Sequence, residues 1–256
     1  MKIARRVSAV ILATTFVGSA SVAFAQAEAN GPTALIFSYR AKPEDRAKFR
    51  STMATEGVAQ LDKWKKDGVF ASYIALFTTY AAETNPDMFL IVKFNHFTDL
   101  GRWQKIERTN PGGLPEKAQV MATVETSATA DIIKEKTSAQ TTQDSQFFIL
   151  EYDVLTEMPK YVSYVEGYVA PQFDAWIKSG ALVSYSSFAD QNPAGAPWSS
   201  FIVLEYKNLD ALASRELIKN KSRAELAVSD PVWKKWSDDK TAIRKEKAAI
   251  PALSLK

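Results

Sequence analysis

The chain has 256 residues, no cysteine, a single histidine and a formal charge of +3. Without thiols there are no disulfides and no thiolate metal sites, and one imidazole is too few for an ordinary transition-metal centre. Residues 1–25 carry three basic side chains and no acidic one, so the remainder balances 29 basic against 29 acidic groups. A neutral chain of this kind has no electrostatic footprint for nucleic acid.

The opening stretch, MKIARRVSAVILATTFVGSASVAFAQA, has the layout of a secretory signal peptide over residues 1–25. Lys2, Arg5 and Arg6 form the positive n-region, an apolar stretch follows, and Ala23-Phe24-Ala25 fits the small-residue cleavage rule before Gln26. The expected product is periplasmic or secreted, with no membrane association after cleavage.

The first element beyond it is the strand-like run ALIFSY (34–39). Pro43-Glu44-Asp45 then opens a helix, with a proline in the first turn and acids at the positive end. Phe49, Met53, Gly57, Leu61 and Trp64 recur every three or four residues and predict one apolar face. Gly68 stands where a helix C-cap glycine belongs. Strands are predicted in VFASYIALF (69–77) and MFLIVKF (88–94), a second helix begins near Thr98, and TSATADII (126–133) reads as a last strand. TNPGGLPEK (109–117) is a Gly/Pro turn.

The polar stretch KTSAQTTQDS (136–145) reads as a linker, and the pattern then repeats. Trp64 recurs as Trp176, an offset of 112 residues. Over 48–73 against 160–185, nine of 26 positions are identical, where ordinary composition gives roughly two. FFILEY (147–152) is the matching first strand, and Tyr161, Val165, Val169, Phe173 and Trp176 form the matching helix face. Gly180 is the matching cap, ALVSYSSF and SFIVLEY are the matching strands, and a helix begins near Leu209. In AAIPALSL (248–255), Pro251 favours an edge position. The expected organisation is a unit at 33–135, a linker at 136–145 and a second unit at 146–255.

The order β-α-β-β-α-β, written twice, predicts an α+β fold of two tandem ferredoxin-like repeats. Strands apolar at nearly every position should be buried on both faces, so the two bare sheet faces should cover each other. In this the chain resembles the dimeric α/β-barrel superfamily, fused so that one chain forms its own pseudo-dimer. The resemblance implies a setting shared by cofactor-free monooxygenases, haem enzymes such as chlorite dismutases, and proteins without known activity.

Candidate ligand-binding residues are the polar groups on the strands. Lys93 and Glu205 occupy the same repeat position with opposite charge. The preferred reading puts both at strand ends reaching water; an inward orientation would let them bind or protonate a ligand. Tyr39 and Glu151 end the first strands, and a carboxylate beside a tyrosine suits acid–base work. Tyr73 and Tyr185 line a pocket in one reading and are aromatics packed between helix and sheet in the other. His96 would be the haem ligand if there were one. The leading expectation is a non-catalytic binder of a small apolar or aromatic molecule, or of a partner surface. The alternative is a cofactor-independent monooxygenase-like enzyme with a polar site inside the barrel, and haem binding is the remote third. No cofactor and no metal are expected.

Overall fold

A computed structural model describes residues 30–256; the signal-peptide reading falls outside them. Eight strands form one closed barrel: β1 (Thr33–Ala41), β2 (Ser72–Thr78), β3 (Met88–Phe94), β4 (Ala122–Thr137), β5 (Gln146–Val154), β6 (Leu182–Asp190), β7 (Ser200–Tyr206) and β8 (Arg244–Ser254). Around the barrel they run β1-β3-β2-β8-β5-β7-β6-β4, with every described pairing antiparallel. The strands β4-β1-β3-β2 and β8-β5-β7-β6 therefore follow the same order, and two seams, β2–β8 and β4–β6, join them.

Closure corrects the expectation for Pro251, since a closed barrel has no edge strand. The β2–β8 seam is short and reaches only from Leu76↔Ser254 to Thr78↔Ala252. Pro251 sits just past its margin, where its carbonyl accepts the Thr79 amide at 2.9 Å. The strand β4 also extends to Thr137, so the connection between the strand sets begins two residues later than the polar composition suggested.

The helices cover the outside. In the first half they are α1 (Arg46–Thr52), α2 (Val58–Lys66), α3 (Leu100–Glu107) and α4 (Glu116–Gln119). In the second they are α5 (Met158–Tyr164), α6 (Ala170–Lys178), α7 (Leu209–Ala213), α8 (Arg215–Ser229) and α9 (Pro231–Ile243). One wide π-turn joins α1 to α2 at Met53–Gly57, and another joins α5 to α6 at Val165–Val169. In the second half the wide turn precedes Pro171, which cannot donate to the ladder and would crowd the carbonyl four residues back. Gly68 and Gly180 end their helices with φ of 73° and 76°, a conformation that suits glycine. Asp230 caps α9 by accepting the Val232 and Trp233 amides at 2.9 Å, and Pro231 follows at the first helical position.

Strand alternation sorts the core into three parts. Phe37, Tyr39, Leu90 and Val92 face the first-half helices with Phe49, Met53, Leu61 and Trp103. Leu150, Tyr152, Ile202 and Leu204 face the second-half helices with Tyr161, Phe173, Trp176 and Trp233. Between them, Ile36, Phe89, Ile91, Ile149, Phe188, Phe201 and Ile250 fill the barrel. Phe89 and Phe201 meet there with ring centroids 5.5 Å apart. Among the described residues the middle of the barrel is therefore solid, and the two cavities that bear on function lie at one mouth of the barrel and outside it.

Candidate functional site

The outer face of β5 presents Phe148, Leu150 and Tyr152 toward the second-half helices. Here the two halves differ. After β3 the first half has α3, a Gly/Pro turn and the four-residue α4, whereas after β7 the second half builds the long helices α8 and α9. These helices and β5 enclose a cleft of about 280 Å³, walled by Leu150, Tyr152, Gln172, Phe173 and Trp176. Five basic side chains reach it, Arg215, Lys219, Arg223, Lys240 and Arg244, against one carboxylate, Glu246.

The two arginines at its floor lie on aromatic rings. The Arg244 guanidinium carbon stands 3.9 Å from the Tyr152 ring centre and 5.3 Å from that of Tyr164. Arg215 stands 4.6 Å from the Phe148 ring centre. Such contacts hold a cation in a dehydrated site without neutralising it. Arg244 Nη1 and Arg215 Nε are enclosed and form no hydrogen bond of good geometry among the described residues, with the Tyr161 and Tyr206 hydroxyls their neighbours, although an unmatched buried donor is costly. Arg215 also pairs with Glu216 at 2.8 Å, on the exposed side, and Lys219 pairs with the same carboxylate. Arg223 donates to Gln172 Oε1 at 2.9 Å.

Behind the floor is a stack of aromatics. Tyr164 and Tyr168 stack with centroids 5.0 Å apart, and Tyr168 stacks on Trp233 at 4.8 Å. The hydroxyls of Tyr164, Tyr168 and Tyr206 are buried without a partner. Burial pushes the Tyr152 phenol up to about 12, partly countered by Arg244 and reinforced by Glu246 and Tyr161. Tyr152 therefore stays protonated and acts as a donor; its hydroxyl lies 3.4 Å from Glu246 Oε2. Donors, cations and one carboxylate thus converge on an aromatic-walled cleft. The chemistry such a set can perform is to hold an aromatic anion, or to generate one by removing a proton and stabilising the charge left behind.

Of the candidate ligand-binding residues, Glu151 adjoins the cleft at Tyr152 but points the other way, into the barrel opposite Phe201; Phe173 and Trp176, expected as helix-face residues, line the cleft. Tyr39 is buried between sheet and helices, donates to the Gly112 carbonyl and lines no described cavity, so it is a packing residue. Tyr73 and Tyr185 also face the helices, donating to Asp62 at 2.8 Å and Asp174 at 3.1 Å; Tyr73 in addition borders a cavity of about 250 Å³, in line with its pocket reading. Lys93 and Glu205 require a correction. They do not reach water from strand ends: both point into one mouth of the barrel, where Glu205 is 3% exposed and the Lys93 side chain 14%. They form no direct ion pair; Lys93 instead meets Glu135 and Ser186.

His96 is exposed, with Nδ1 3.2 Å from the Asn30 carbonyl, and lines none of the described cavities. Haem ligation through it does not fit. No group of three or more His, Cys, Asp or Glu among the described residues is placed to hold a metal ion, and no described helix is long and apolar enough to cross a membrane.

No family model and no curated protein matches the sequence. Solved structures do resemble the fold. A proposed monooxygenase from Lactobacillus acidophilus is 11% identical, with 88% of this chain and 95% of that one covered at a TM-score of 0.56. A proposed monooxygenase from Fusobacterium nucleatum is 14% identical, with coverages of 88% and 93% and a TM-score of 0.55. An anthrone oxidase-like protein is 9% identical, with coverages of 88% and 91% and a TM-score of 0.52. Likeness at such identities is a likeness of fold. The chain is a mixed α/β protein with an eight-stranded closed barrel.

Proposed function

We propose that this protein is a cofactor-independent oxygenase-like enzyme acting on a small aromatic carbon acid in the second-half cleft. The observation that carries the reading is the pair of aromatic-stacked guanidinium groups with unmatched N–H donors, Arg215 and Arg244, set in an aromatic-walled cleft. The descriptions of the structural neighbours, monooxygenase and anthrone oxidase-like, favour oxygen chemistry over simple binding. Glu246 is the cleft's carboxylate and would take the proton. Arg244 and the Tyr152 hydroxyl would hold the oxygen on which the negative charge develops. The electron-rich anion then reduces dioxygen: a CH₂ and O₂ become a C=O and water.

The same reading includes an exported chain built by tandem duplication of a ferredoxin-like unit, with 33–135 and 146–255 as the copies. The signal-like N-terminus, the 112-residue repeat and the shared strand order support it.

The test is oxygen uptake by the purified protein given anthrone, with the quinone product followed by absorbance. One O₂ consumed per quinone, insensitive to chelators and lost in Glu246→Gln, is the expected result. Absence of uptake overturns the enzyme reading. Saturable quenching of tryptophan fluorescence that is reduced in Trp176→Phe, without uptake, would then support the binder reading, and absence of both overturns each.

A further inference from the structure

The barrel mouth occupied by Lys93 and Glu205 is a second built site. Ser72 lies opposite Lys93 on β2, and Ser184 lies opposite Glu205 on β6, so all four share the inner face. A cavity of about 250 Å³ opens among them, with Ser186, Ser254 and Thr141 adding hydroxyls to its wall. None of its lining residues belongs to the second-half cleft.

The charges here do not balance. Lys93 Nζ donates to Glu135 Oε2 at 2.5 Å and to Ser186 Oγ at 3.0 Å. Lys256, also in the lining, donates to Asp62 at 2.7 Å. Each ammonium thus has its own carboxylate. Glu205 has none. Its Oε2 accepts from Ser184 Oγ at 2.6 Å, and its Oε1 is enclosed and accepts nothing among the described residues. A buried carboxylate with no counter-charge and one oxygen lacking a donor is poised for a ligand that brings both. A donor without charge would answer Oε1 and leave the negative charge standing.

We propose that this mouth binds a small organic ammonium ion. Glu205 is its counter-ion; Oε1, enclosed here, turns toward the cavity to accept an ammonium N–H. The surrounding serine and threonine hydroxyls meet the polar remainder. The cavity of about 250 Å³ accommodates an amino alcohol or a short amino acid. Position 93 is the equivalent of position 205 and carries a lysine, so the two strand sets offer one such acceptor, not two.

The experiment is calorimetric titration of the full chain with ethanolamine, using ethylene glycol as the uncharged probe of similar shape. Wild-type protein should bind ethanolamine saturably and ethylene glycol not. Glu205→Gln, which keeps the shape and removes the charge, should weaken binding about tenfold or more. Lys93→Met should strengthen it, because Glu135 then adds a second uncompensated charge. A merely structural disturbance would weaken both variants, so the opposite signs are diagnostic even if one variant is less stable. Absence of saturable ethanolamine binding, equal affinity in Glu205→Gln, or displacement by sodium at equal concentration overturns the proposal. Each outcome is independent of oxygen uptake at the other cleft.

Discussion

Tyr185 donates its hydroxyl to the Asp174 carboxylate at 3.1 Å, tying β6 to α6. The same tie stands 112 residues earlier, where Tyr73 on β2 donates to Asp62 on α2 at 2.8 Å. Burial raises both phenols and the neighbouring aspartates raise them further, so both remain donors. The repeated phrase around Trp64 and Trp176 is therefore a joint between helix and strand. Tyr185→Phe should cost about 1 kcal/mol, the net worth of a part-buried hydrogen bond. Trp176→Ala, which empties a buried site and frees Ser222 from the indole N–H, should cost about 3–5 kcal/mol. Urea unfolding midpoints measured on both variants check the ranking.

Gly112 has a tighter constraint than its place in a Gly/Pro turn suggests. Its φ is +59°, and an added Cβ would lie 2.5 Å from Val124 Cγ2 and 3.1 Å from Tyr39 Cε1. Its amide donates to Glu107 Oε1 at 2.8 Å while its carbonyl accepts from Tyr39. Gly112→Ala should destabilise by about 1–3 kcal/mol through overpacking, with added backbone strain. Gly68→Ala has the strained φ of +73° but meets nothing within 4 Å, so it should cost less. Thermal melting of the two variants separates crowding from strain; equal losses would show that conformation alone governs both.

Asp87 anchors the turn between β2 and β3. It is buried, accepts Arg46 Nε at 2.6 Å and the Ala41 amide at 2.9 Å, and Arg46 lies 4.7 Å from the Phe77 ring centre. Removing one partner of such a pair leaves a stranded charge, so Asp87→Ala should cost about 3–5 kcal/mol. The double variant Asp87→Ala with Arg46→Met should recover part of that loss. A double variant as unstable as the sum of the two singles would show that the groups act separately.

The framework was legible in the sequence because it depends on local periodicity. Phe49, Met53, Leu61, Phe173 and Trp176 recur at helical spacing and are buried, and the glycines at 68 and 180 end helices as expected. The cleft was not legible. Arg215 begins α8 and Arg244 begins β8, 29 residues apart, and only the packing of α8 and α9 over β5 brings them together. The site lies where the halves differ in structure after the third strand, and that difference has no residue signature. Lys93 and Glu205 were visible but misplaced, because a charged residue near a strand end ordinarily reaches water. Closure of the barrel turned that end inward.

Glu151 gives the fold a pH dependence of its own. It sits on the inner face of β5, opposite Phe201 and Ala248. Burial pushes its carboxyl up to about 7; Lys247 pulls it down and Glu125 raises it. In the unfolded chain the same group titrates near the ordinary glutamate value, about 4.3. Between those two values the folded state holds the proton and the unfolded state has released it. The folded state then binds more protons, so stability falls as pH rises through this window. The contribution is fully present below the unfolded value and levels off above about 7. Glu151→Gln keeps a neutral group in place and should flatten that part of the profile, leaving the variant more stable than the wild type at pH above 7. Denaturant midpoints taken across the window decide it. A wild-type profile that rises with pH there, or an unchanged slope in the variant, would show that Glu151 is ionised in the folded barrel.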